Sequence, residues 1–303
     1  DRSLSGVGSS ALLQHAARNT QHASASKGSD ALRVTSFGSG SSGNALLIQA
    51  EGAAGSTSVL IDAGIPVRRL RAGLAAAGVP DDGLDAILVS HEHHDHISAL
   101  PRLVRYQRCP IFATSGTMRA LDVAATDRWE RLVPEYSCRI GTLTITPIAV
   151  PHDAAEPVGF LVDDGTVRTA IFTDLGSTAS LVRDPIAQAH LVILEANYDV
   201  ELLERGPYPA RLKRRIRSGH GHLSNAECGD FLAETLGSTT VDIWLAHLSE
   251  NNNRPKLAEE TVVQRLGSGP SGPRVQPMPR HRPVVWEAAS ALQRPRQLGF
   301  LFP

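Results

Sequence analysis

His91-Glu92-His93-His94-Asp95-His96 follows directly on an apolar run at residues 86–90. Imidazole and carboxylate groups bind zinc, and carboxylate oxygen also suits manganese. Side chains two residues apart in an extended or tightly turning segment point the same way, so His91 and His93 can bind one ion together. Asp95 and His96 then face a second ion. A solvated histidine-rich loop is the alternative, but so many ligands after a buried strand predict a metal site.

Other candidate ligands stand at or near the ends of further apolar, strand-like runs: Asp62, His152, Asp174 and His247. Each of them alone is more often an ordinary loop or core residue than a ligand. Their order along the chain, together with the H-x-H-x-D-H spacing, resembles the metallo-β-lactamase superfamily.

The resemblance implies a hydrolytic centre with two divalent metal ions, zinc or manganese. A hydroxide bridging the ions is the expected nucleophile. Asp62 is expected to support the metal-binding loop from behind, together with Glu195. The resemblance implies seven ligands: His91, His93 and His152 at the first metal, Asp95, His96 and His247 at the second, and Asp174 bridging the two.

Short apolar runs alternate with helical patterns between residue 32 and residue 266. This pattern predicts a mixed α/β protein, and the resemblance implies a four-layer αββα sandwich. Residues 1–31 are rich in Ser, Gly, Ala and His, which predicts a flexible leader before the catalytic domain of residues 32–266. Residues 267–303 are expected to form a Pro/Gly-rich linker and a C-terminal tail.

Composition is consistent with a metal-dependent enzyme without identifying one. The chain has 303 residues, of which 42% are hydrophobic, enough for one substantial core. Thirty Lys and Arg against 31 Asp and Glu give no overall basic field, so nucleic-acid binding requires a local patch. Three widely spaced cysteines, no export signal and no apolar run long enough to span a membrane lead us to expect a cytoplasmic protein.

Three further motifs resemble the YycJ/WalJ-like hydrolases: residues 39–44 (SGSSGN), residues 221–225 (GHLSN) and residues 246–255 (AHLSENNNRP). With residues 194–199 (LEANYD), they extend the resemblance over about residues 32–265. YycJ-like proteins are associated with DNA exonuclease activity. The resemblance therefore implies a nuclease acting in DNA repair or replication-linked processing.

His222 and Asp95 are the candidate catalytic residues. His222 precedes a helix that Ser224 and Glu227 can cap, so it is expected to stabilise a phosphate or to protonate the leaving oxygen. Asp95 is a ligand first, with a secondary role in proton transfer. The candidate substrate-binding residues are Ser39, Ser41, Ser42, Asn44, Ser224, Asn225, Arg214 and Arg215.

Structural interpretations of these substrate residues also stay open. The segment at residues 39–44 is equally consistent with a simple hairpin turn. Ser224 caps a helix whatever the function. The basic run at residues 211–217 is either a solvated face or a track for a phosphate backbone.

Several related activities remain alternatives. A tRNA-processing nuclease of the ribonuclease Z type requires a histidine where this chain has Leu194. A β-CASP nuclease needs a large insertion, and only 72 residues separate Asp174 from His247. Secreted β-lactamases need an export signal. A small-molecule metallohydrolase acting on a thioester, lactone or cyclic phosphodiester shares the same ligands, whereas a non-catalytic scaffold would be expected to have lost some of them.

The expected partners are nucleic acid, DNA rather than RNA, and no membrane. The terminal residues 297–303 (QLGFLFP) look like the peptide by which bacterial repair proteins bind the replication sliding clamp, through Gln297 to Phe302. A last strand or anchor packed on the domain is the alternative interpretation. Superfamily members are often homodimers, and nothing in the sequence specifies whether this chain is one.

Overall fold

The computed structural model describes residues 32–52, 55–121, 127–267 and 272–294. The expected leader at residues 1–31 and the proposed clamp-binding residues 297–303 lie outside the described residues. In the part of the chain that the structure describes, none of the helices combines the length and hydropathy needed to span a bilayer.

Two seven-stranded mixed sheets form the centre of the described domain. The first has the order β14-β1-β2-β3-β4-β5-β6 and comprises β1 (Arg33–Gly38), β2 (Ala45–Gly52), β3 (Gly55–Ile61), β4 (Ala86–Leu88), β5 (Ile111–Thr114), β6 (Trp129–Leu132) and β14 (Val284–Glu287). The second has the order β13-β12-β11-β10-β9-β8-β7 and comprises β7 (Cys138–Ile140), β8 (Leu143–Ala149), β9 (Val158–Asp163), β10 (Arg168–Phe172), β11 (Leu191–Glu195), β12 (Asp242–Ala246) and β13 (Arg274–Pro277).

Helices lie between these strands in the sequence. They are α1 (Val67–Ala76), α2 (His94–Ile97), α3 (Leu100–Leu103), α4 (Ser115–Ala120), α5 (Arg183–Gln188), α6 (Val200–Arg205), α7 (Ala210–Ile216), α8 (Asn225–Thr235), α9 (Pro255–Leu266) and α10 (Ala288–Leu292), with a 3₁₀ turn at Ser180–Val182.

Three large apolar clusters show how the layers pack. Residues from both sheets, such as Ile48 and Phe160, form the cluster between the sheets. A second cluster joins the outer face of one sheet to α1 through Leu70 and Leu74. A third joins the other sheet to α8 and α9 through residues such as Leu232. The described residues therefore form the predicted αββα sandwich, and the fold prediction is confirmed.

Parallel pairing brings the functional loops to one edge of the sandwich. β3 pairs in parallel with β4, and β10, β11 and β12 are parallel neighbours. Because parallel strands end at the same edge, the loops that follow them lie close together. The sequence places a candidate site residue at or just after the end of each of these strands.

The chain after residue 267 differs from its expected role as linker and tail. β13 pairs with β12, and β14 pairs with β1, so both are edge strands of the two sheets. They are short and flanked by prolines, a composition that predicts a linker but that edge strands tolerate. Residues 274–292 therefore belong to the folded domain.

The buried carboxylate of Asp242 ties the last strand to the opposite sheet. Its Oδ2 accepts a hydrogen bond from Trp286 Nε1 at 2.6 Å, and it also pairs with Arg294. We expect Trp286→Phe to lower the free energy of unfolding by about 1–3 kcal/mol, because the buried Asp242 carboxylate loses one of its two donors. Urea denaturation measures this change.

Val285→Ala is the matched control, since Val285 lies beside Trp286 and is 51% exposed. Its effect should stay within about 0.5 kcal/mol. Equal stability of Trp286→Phe and the unaltered protein would show that the hydrogen bond between Trp286 and Asp242 does not stabilise the fold.

Candidate metal centre and active site

Three histidine nitrogens converge at the first expected metal position. His91 Nε2 lies 3.1 Å from His93 Nδ1, and His152 Nε2 lies 3.3 Å from the same atom. These nitrogens cannot all direct hydrogens at one another, whereas their three lone pairs suit a single cation. The structure therefore brings His91, His93 and His152 together in a geometry that can hold an ion.

The second expected position combines one carboxylate with two histidines. Asp95 Oδ2 lies 3.1 Å from His247 Nε2 and 3.7 Å from His96 Nε2. His96 and His247 are buried, while Asp95 is partly exposed. One oxygen and two imidazole nitrogens form a second set that can hold an ion.

Asp174 lies between the two sets. Its Oδ1 is 3.7 Å from His152 Nε2, in the first set, and its Oδ2 is 3.0 Å from His96 Nε2, in the second. Despite this proximity, the buried Oδ2 takes part in no hydrogen bond of acceptable geometry. A buried carboxylate oxygen without a donor is costly. A divalent cation would satisfy it, so the residues present fit the metal centre that the sequence predicts.

The second nitrogen of each of four ligands is held by a neighbouring group. Such contacts fix the ring orientation and leave the other nitrogen for a metal. The pairs are His91 Nδ1 with Ser90 Oγ at 3.0 Å, His96 Nδ1 with Asp62 Oδ2 at 2.7 Å, His152 Nδ1 with the Gly221 carbonyl at 3.0 Å, and His247 Nδ1 with Glu195 Oε1 at 2.9 Å.

Asp62 also fixes the start of the metal-binding loop. Its two carboxylate oxygens accept hydrogen bonds from the Ser90 backbone N–H and hydroxyl, both at 2.8 Å. The backbone at Asp62 is left-handed, with φ at 60°. Asp62 thus joins the end of β3 to the loop after β4.

Glu195 supports the other side of the centre. Its Oε1 lies 2.7 Å from His222 Nδ1, in addition to its contact with His247. Its Oε2 accepts the backbone N–H groups of Leu175 at 2.9 Å and Leu223 at 3.2 Å. Because four donors already surround this fully buried carboxylate, it orients the histidines rather than serving as a further metal ligand.

Close backbone packing holds the H-x-H-x-D-H loop against the first sheet. Gly64 packs so tightly that a Cβ there would lie 1.6 Å from the Asp95 carbonyl oxygen. The Asn44 backbone N–H donates to that same carbonyl at 2.8 Å, and the Ala63 N–H donates to the His96 carbonyl at 2.7 Å. A side chain at residue 64 would displace the loop that carries both sets of ligands.

Electrostatics differ between the two sets. Burial lowers the pKa of His91 well below its usual value and lowers that of His152, so both stay neutral and keep a free lone pair. Burial also opposes charge on His247, but Asp174 and Asp95 outweigh it and raise the pKa of His247 to about 10. A metal ion entering the second set must therefore displace a proton.

Comparison with known proteins agrees with this geometry. A model of the β-lactamase superfamily domain matches residues 57–243. The chain belongs to the metallo-β-lactamase superfamily. The exodeoxyribonuclease WalJ of Streptococcus pneumoniae (serotype 2, strain D39) is 34% identical over 242 residues, which are 77% of this chain and 88% of that protein.

The exodeoxyribonuclease YycJ of Bacillus anthracis is 32% identical over 240 residues, or 78% of this chain and 89% of that protein. Among solved structures, the metallo-β-lactamase fold protein YhfI of Bacillus subtilis superposes with a TM-score of 0.66 at 20% identity, covering 86% of this chain and 100% of that chain. As a superfamily member related to WalJ and YycJ, the chain is a metal-dependent hydrolase.

An open cleft of about 340 Å³ leads to the metal-binding groups of this superfamily member. Its lining combines Asp95, Asp174 and His247 with the side chains of His222 and Arg215. Because Glu195 occupies His222 Nδ1, the Nε2 atom is the nitrogen available to a substrate. The cleft thus offers one histidine and one guanidinium beside the metal-binding groups.

Four of the expected substrate-binding residues instead bond to the protein itself. Ser39 is buried, and its hydroxyl accepts the backbone N–H of His247 at 2.9 Å. Asn44 is buried and bonds to the backbone of Gly40 through both amide atoms. Ser224 caps α8 in a capping box with Glu227. These contacts give them positioning roles in place of substrate contact.

Asn225, the fourth, is buried and exchanges hydrogen bonds with Asn253 at 3.0 and 2.8 Å. Ser41 and Arg215 line the cleft, as expected of substrate-binding residues. Ser42 and Arg214 are exposed but are not among the residues that line it.

Sequence reasoning missed Tyr208 and Asp153, which also line the cleft. Asp153 follows the metal-binding candidate His152 directly, and its Oδ2 accepts from Arg215 Nε. Tyr208 lies in a loop between two short helices and has no motif to mark it. The position of Asp153 directly after His152 could have identified it from the sequence. For Tyr208, only the fold shows that the residue lines the cleft.

The Asp62–His96 contact generates a prediction about metal binding. We expect Asp62→Asn to lower the affinity for Mn²⁺ by about 10–100-fold, because an amide supports the ligand-forming tautomer of His96 less well than a carboxylate. Isothermal titration of the metal-free protein measures the change.

Asp81→Asn is the control, since Asp81 is an exposed carboxylate that pairs with Arg71 on the surface. Its affinity for Mn²⁺ should equal that of the unaltered protein. If both variants bind Mn²⁺ equally tightly, the supporting role assigned to Asp62 is wrong.

Proposed function

We propose that this chain is a DNA exonuclease that hydrolyses phosphodiester bonds at a pair of divalent metal ions. The observation that carries the proposal is Asp174, whose two oxygens reach both ligand sets while one of them lacks a hydrogen-bond partner. Two relatives named exodeoxyribonucleases, 34% and 32% identical over most of the chain, supply the substrate class.

The surroundings of the cleft favour a polyanionic substrate. The basic run at residues 211–217 lies on and just after α7, and Arg215 faces the cleft. Arg211 and Arg214 are exposed, and among the described residues no ion pair is formed by either. Exposed guanidinium groups next to a phosphodiesterase centre suit a nucleic-acid backbone.

Two bound divalent ions would supply a nucleophile at neutral pH and polarise the phosphoryl oxygens. Asp95 would help hold the second ion together with His247, whose Nε2 atom lies 3.1 Å from Asp95 Oδ2. His222 presents Nε2 to the cleft, where it can give a proton to the leaving oxygen. Burial opposes its charge, but Glu195 raises the pKa of His222, so the proton-donating form persists toward neutral pH.

The ribonuclease Z alternative is weakened at one residue. Leu194, which stands where that family is expected to carry a catalytic histidine, is fully buried in the apolar cluster beneath α8. Its side chain is part of the core and supplies no proton-transfer group. Glu195, the next residue, orients histidines instead.

Digestion of double-stranded DNA labelled at either the 5′ or the 3′ end tests the proposed activity. We expect the Mn²⁺-loaded protein to release nucleotides progressively from one polarity of end. Asp174→Asn should reduce this release by at least about 100-fold, because the amide no longer supplies an anionic oxygen to both ligand sets. Gel analysis of the labelled products measures both quantities.

Asp81→Asn serves again as the control and should retain full activity. Release of no nucleotide by the unaltered protein, combined with turnover of a thioester, lactone or cyclic phosphodiester, would assign the chain to the small-molecule hydrolases instead. Cleavage of RNA in preference to DNA would also contradict the proposal.

The role of His222 can be separated from metal binding by the choice of leaving group. We expect His222→Ala to lower kcat on DNA by about 10²–10⁴-fold, because the leaving alkoxide then has no proton donor. Hydrolysis of bis(p-nitrophenyl) phosphate should fall by less than about tenfold, since p-nitrophenolate leaves without protonation.

Equal losses on the two substrates would contradict proton donation and would indicate that His222 stabilises the phosphate itself. The metal content of the variant, determined by mass spectrometry, should match that of the unaltered protein. Loss of metal would mean that the ring contributes to the metal centre directly.

A further inference from the structure

The segment between β11 and His222 forms one wall of the cleft. It contains α6 and α7, and Leu212, Arg215 and Ile216 on α7 all line the cleft. Their i, i+3, i+4 spacing places them on one helical face. Tyr208, in the loop just before α7, extends the same lining. The wall therefore presents an aromatic ring, two aliphatic side chains and one guanidinium group.

Tyr208 is held in place from two sides. Asn251 Nδ2, in the loop that follows His247, donates to the Tyr208 hydroxyl at 2.9 Å. The ring also packs with Leu212 against a small cluster of Tyr198, Leu203 and Ile216. Tyr208 is only partly buried, so part of the ring remains accessible from the cleft.

Arg215 is directed toward the same cleft by a carboxylate. Its Nε donates to Asp153 Oδ2, next to the metal-binding candidate His152. This bond leaves the terminal nitrogens of the guanidinium on the open side, and 59% of the side chain is exposed. A guanidinium held through Nε is well arranged to bind a phosphate through its terminal nitrogens.

We propose that Tyr208 stacks on the base of the nucleotide being removed and that Arg215 binds the phosphate adjacent to the scissile one. The inference rests on the proposed nuclease function and specifies how that site recognises a nucleotide. The metal-binding groups account for the scissile phosphate but not for a base. An aromatic face beside a cation matches a nucleotide, whose base has a π-face and whose phosphate is anionic.

Stacking on Tyr208 would be independent of base identity, because every base offers a π-face. This property suits an enzyme that digests any sequence. The Tyr208 hydroxyl is occupied by Asn251, so the ring rather than the hydroxyl is the recognition element. The proposal therefore separates Tyr208→Phe, which keeps the ring, from Tyr208→Ala, which removes it.

The test is a double-mutant cycle between Tyr208 and the base, using Mn²⁺-loaded protein. The substrates are DNA duplexes whose terminal residue on the digested strand is either normal or abasic. Tyr208→Ala should raise KM for the normal end by roughly ten- to a hundredfold and change kcat less than about twofold. For the unaltered protein, KM should be higher on the abasic end than on the normal end by the same factor. On the abasic end, Tyr208→Ala should cause no further increase in KM.

Two further variants test which group of each side chain contacts the nucleotide. Tyr208→Phe should match the unaltered protein on both ends. Arg215→Gln should weaken both ends equally, because its contact is with phosphate. The Mn²⁺ content of Tyr208→Ala, determined by mass spectrometry, should match that of the unaltered protein, which shows an intact metal centre.

Equal losses from Tyr208→Ala on normal and abasic ends, or no loss on either, would overturn the proposal. Equilibrium binding of the same two ends with Ca²⁺ in place of Mn²⁺ separates this failure from failure of the nuclease assignment. Base-dependent binding without hydrolysis would count against the nuclease function and support the stacking contact. Hydrolysis of DNA without base-dependent binding would support the nuclease function and count against the stacking contact.

Discussion

A buried carboxylate surrounded by histidines is the constraint on which the rest of the site depends. Asp174 follows β10 at the edge where the parallel strands end, and its oxygens face the histidines of both ligand sets. Burying such a group without compensation is expensive, and one of its oxygens lacks a donor. The loops that follow β4, β8 and β12 each bring histidines to this point.

Two further carboxylates keep that arrangement rigid. Asp62 fixes His96 and the loop after β4, while Glu195 fixes His222 and His247. Both are almost completely buried, and both belong to strand ends of the sandwich, one from each sheet. Each ligand set combines residues that follow strands of both sheets, so the relative position of the sheets determines the geometry within each set. Changes in the inter-sheet core would act on the metal centre through these supports.

Much of the centre was predictable because metal ligands carry their own chemistry. Residue type and spacing predicted a metal site at residues 91–96, and the resemblance to the metallo-β-lactamase superfamily implied the full ligand set. The fold brings these residues close together. The polar motifs were harder to interpret. Serine and asparagine side chains bind phosphate as readily as they bind the backbone. The hydrogen bonds of the buried Ser39, Asn44 and Asn225 show that here they bind the protein itself.

Other features could not be predicted, for physical reasons that differ. The edge strands β13 and β14 are four residues each and lie among prolines, so their pattern is too short to distinguish from a linker. The role of Trp286 could not be predicted either, because its hydrogen bond joins it to Asp242, which lies 44 residues away in the sequence. The wall formed by Tyr208 and α7 depends on how two short helices pack beside the cleft, which local sequence does not encode.

Titration of the metal-free protein with Mn²⁺, followed by electron paramagnetic resonance, tests the central claim most directly. A centre bridged by Asp174 should bind two ions per chain, and the saturated sample should show the exchange-coupled spectrum of two adjacent Mn²⁺ ions. Saturation at one ion per chain, or two ions with the six-line spectra of isolated Mn²⁺, would contradict a shared carboxylate.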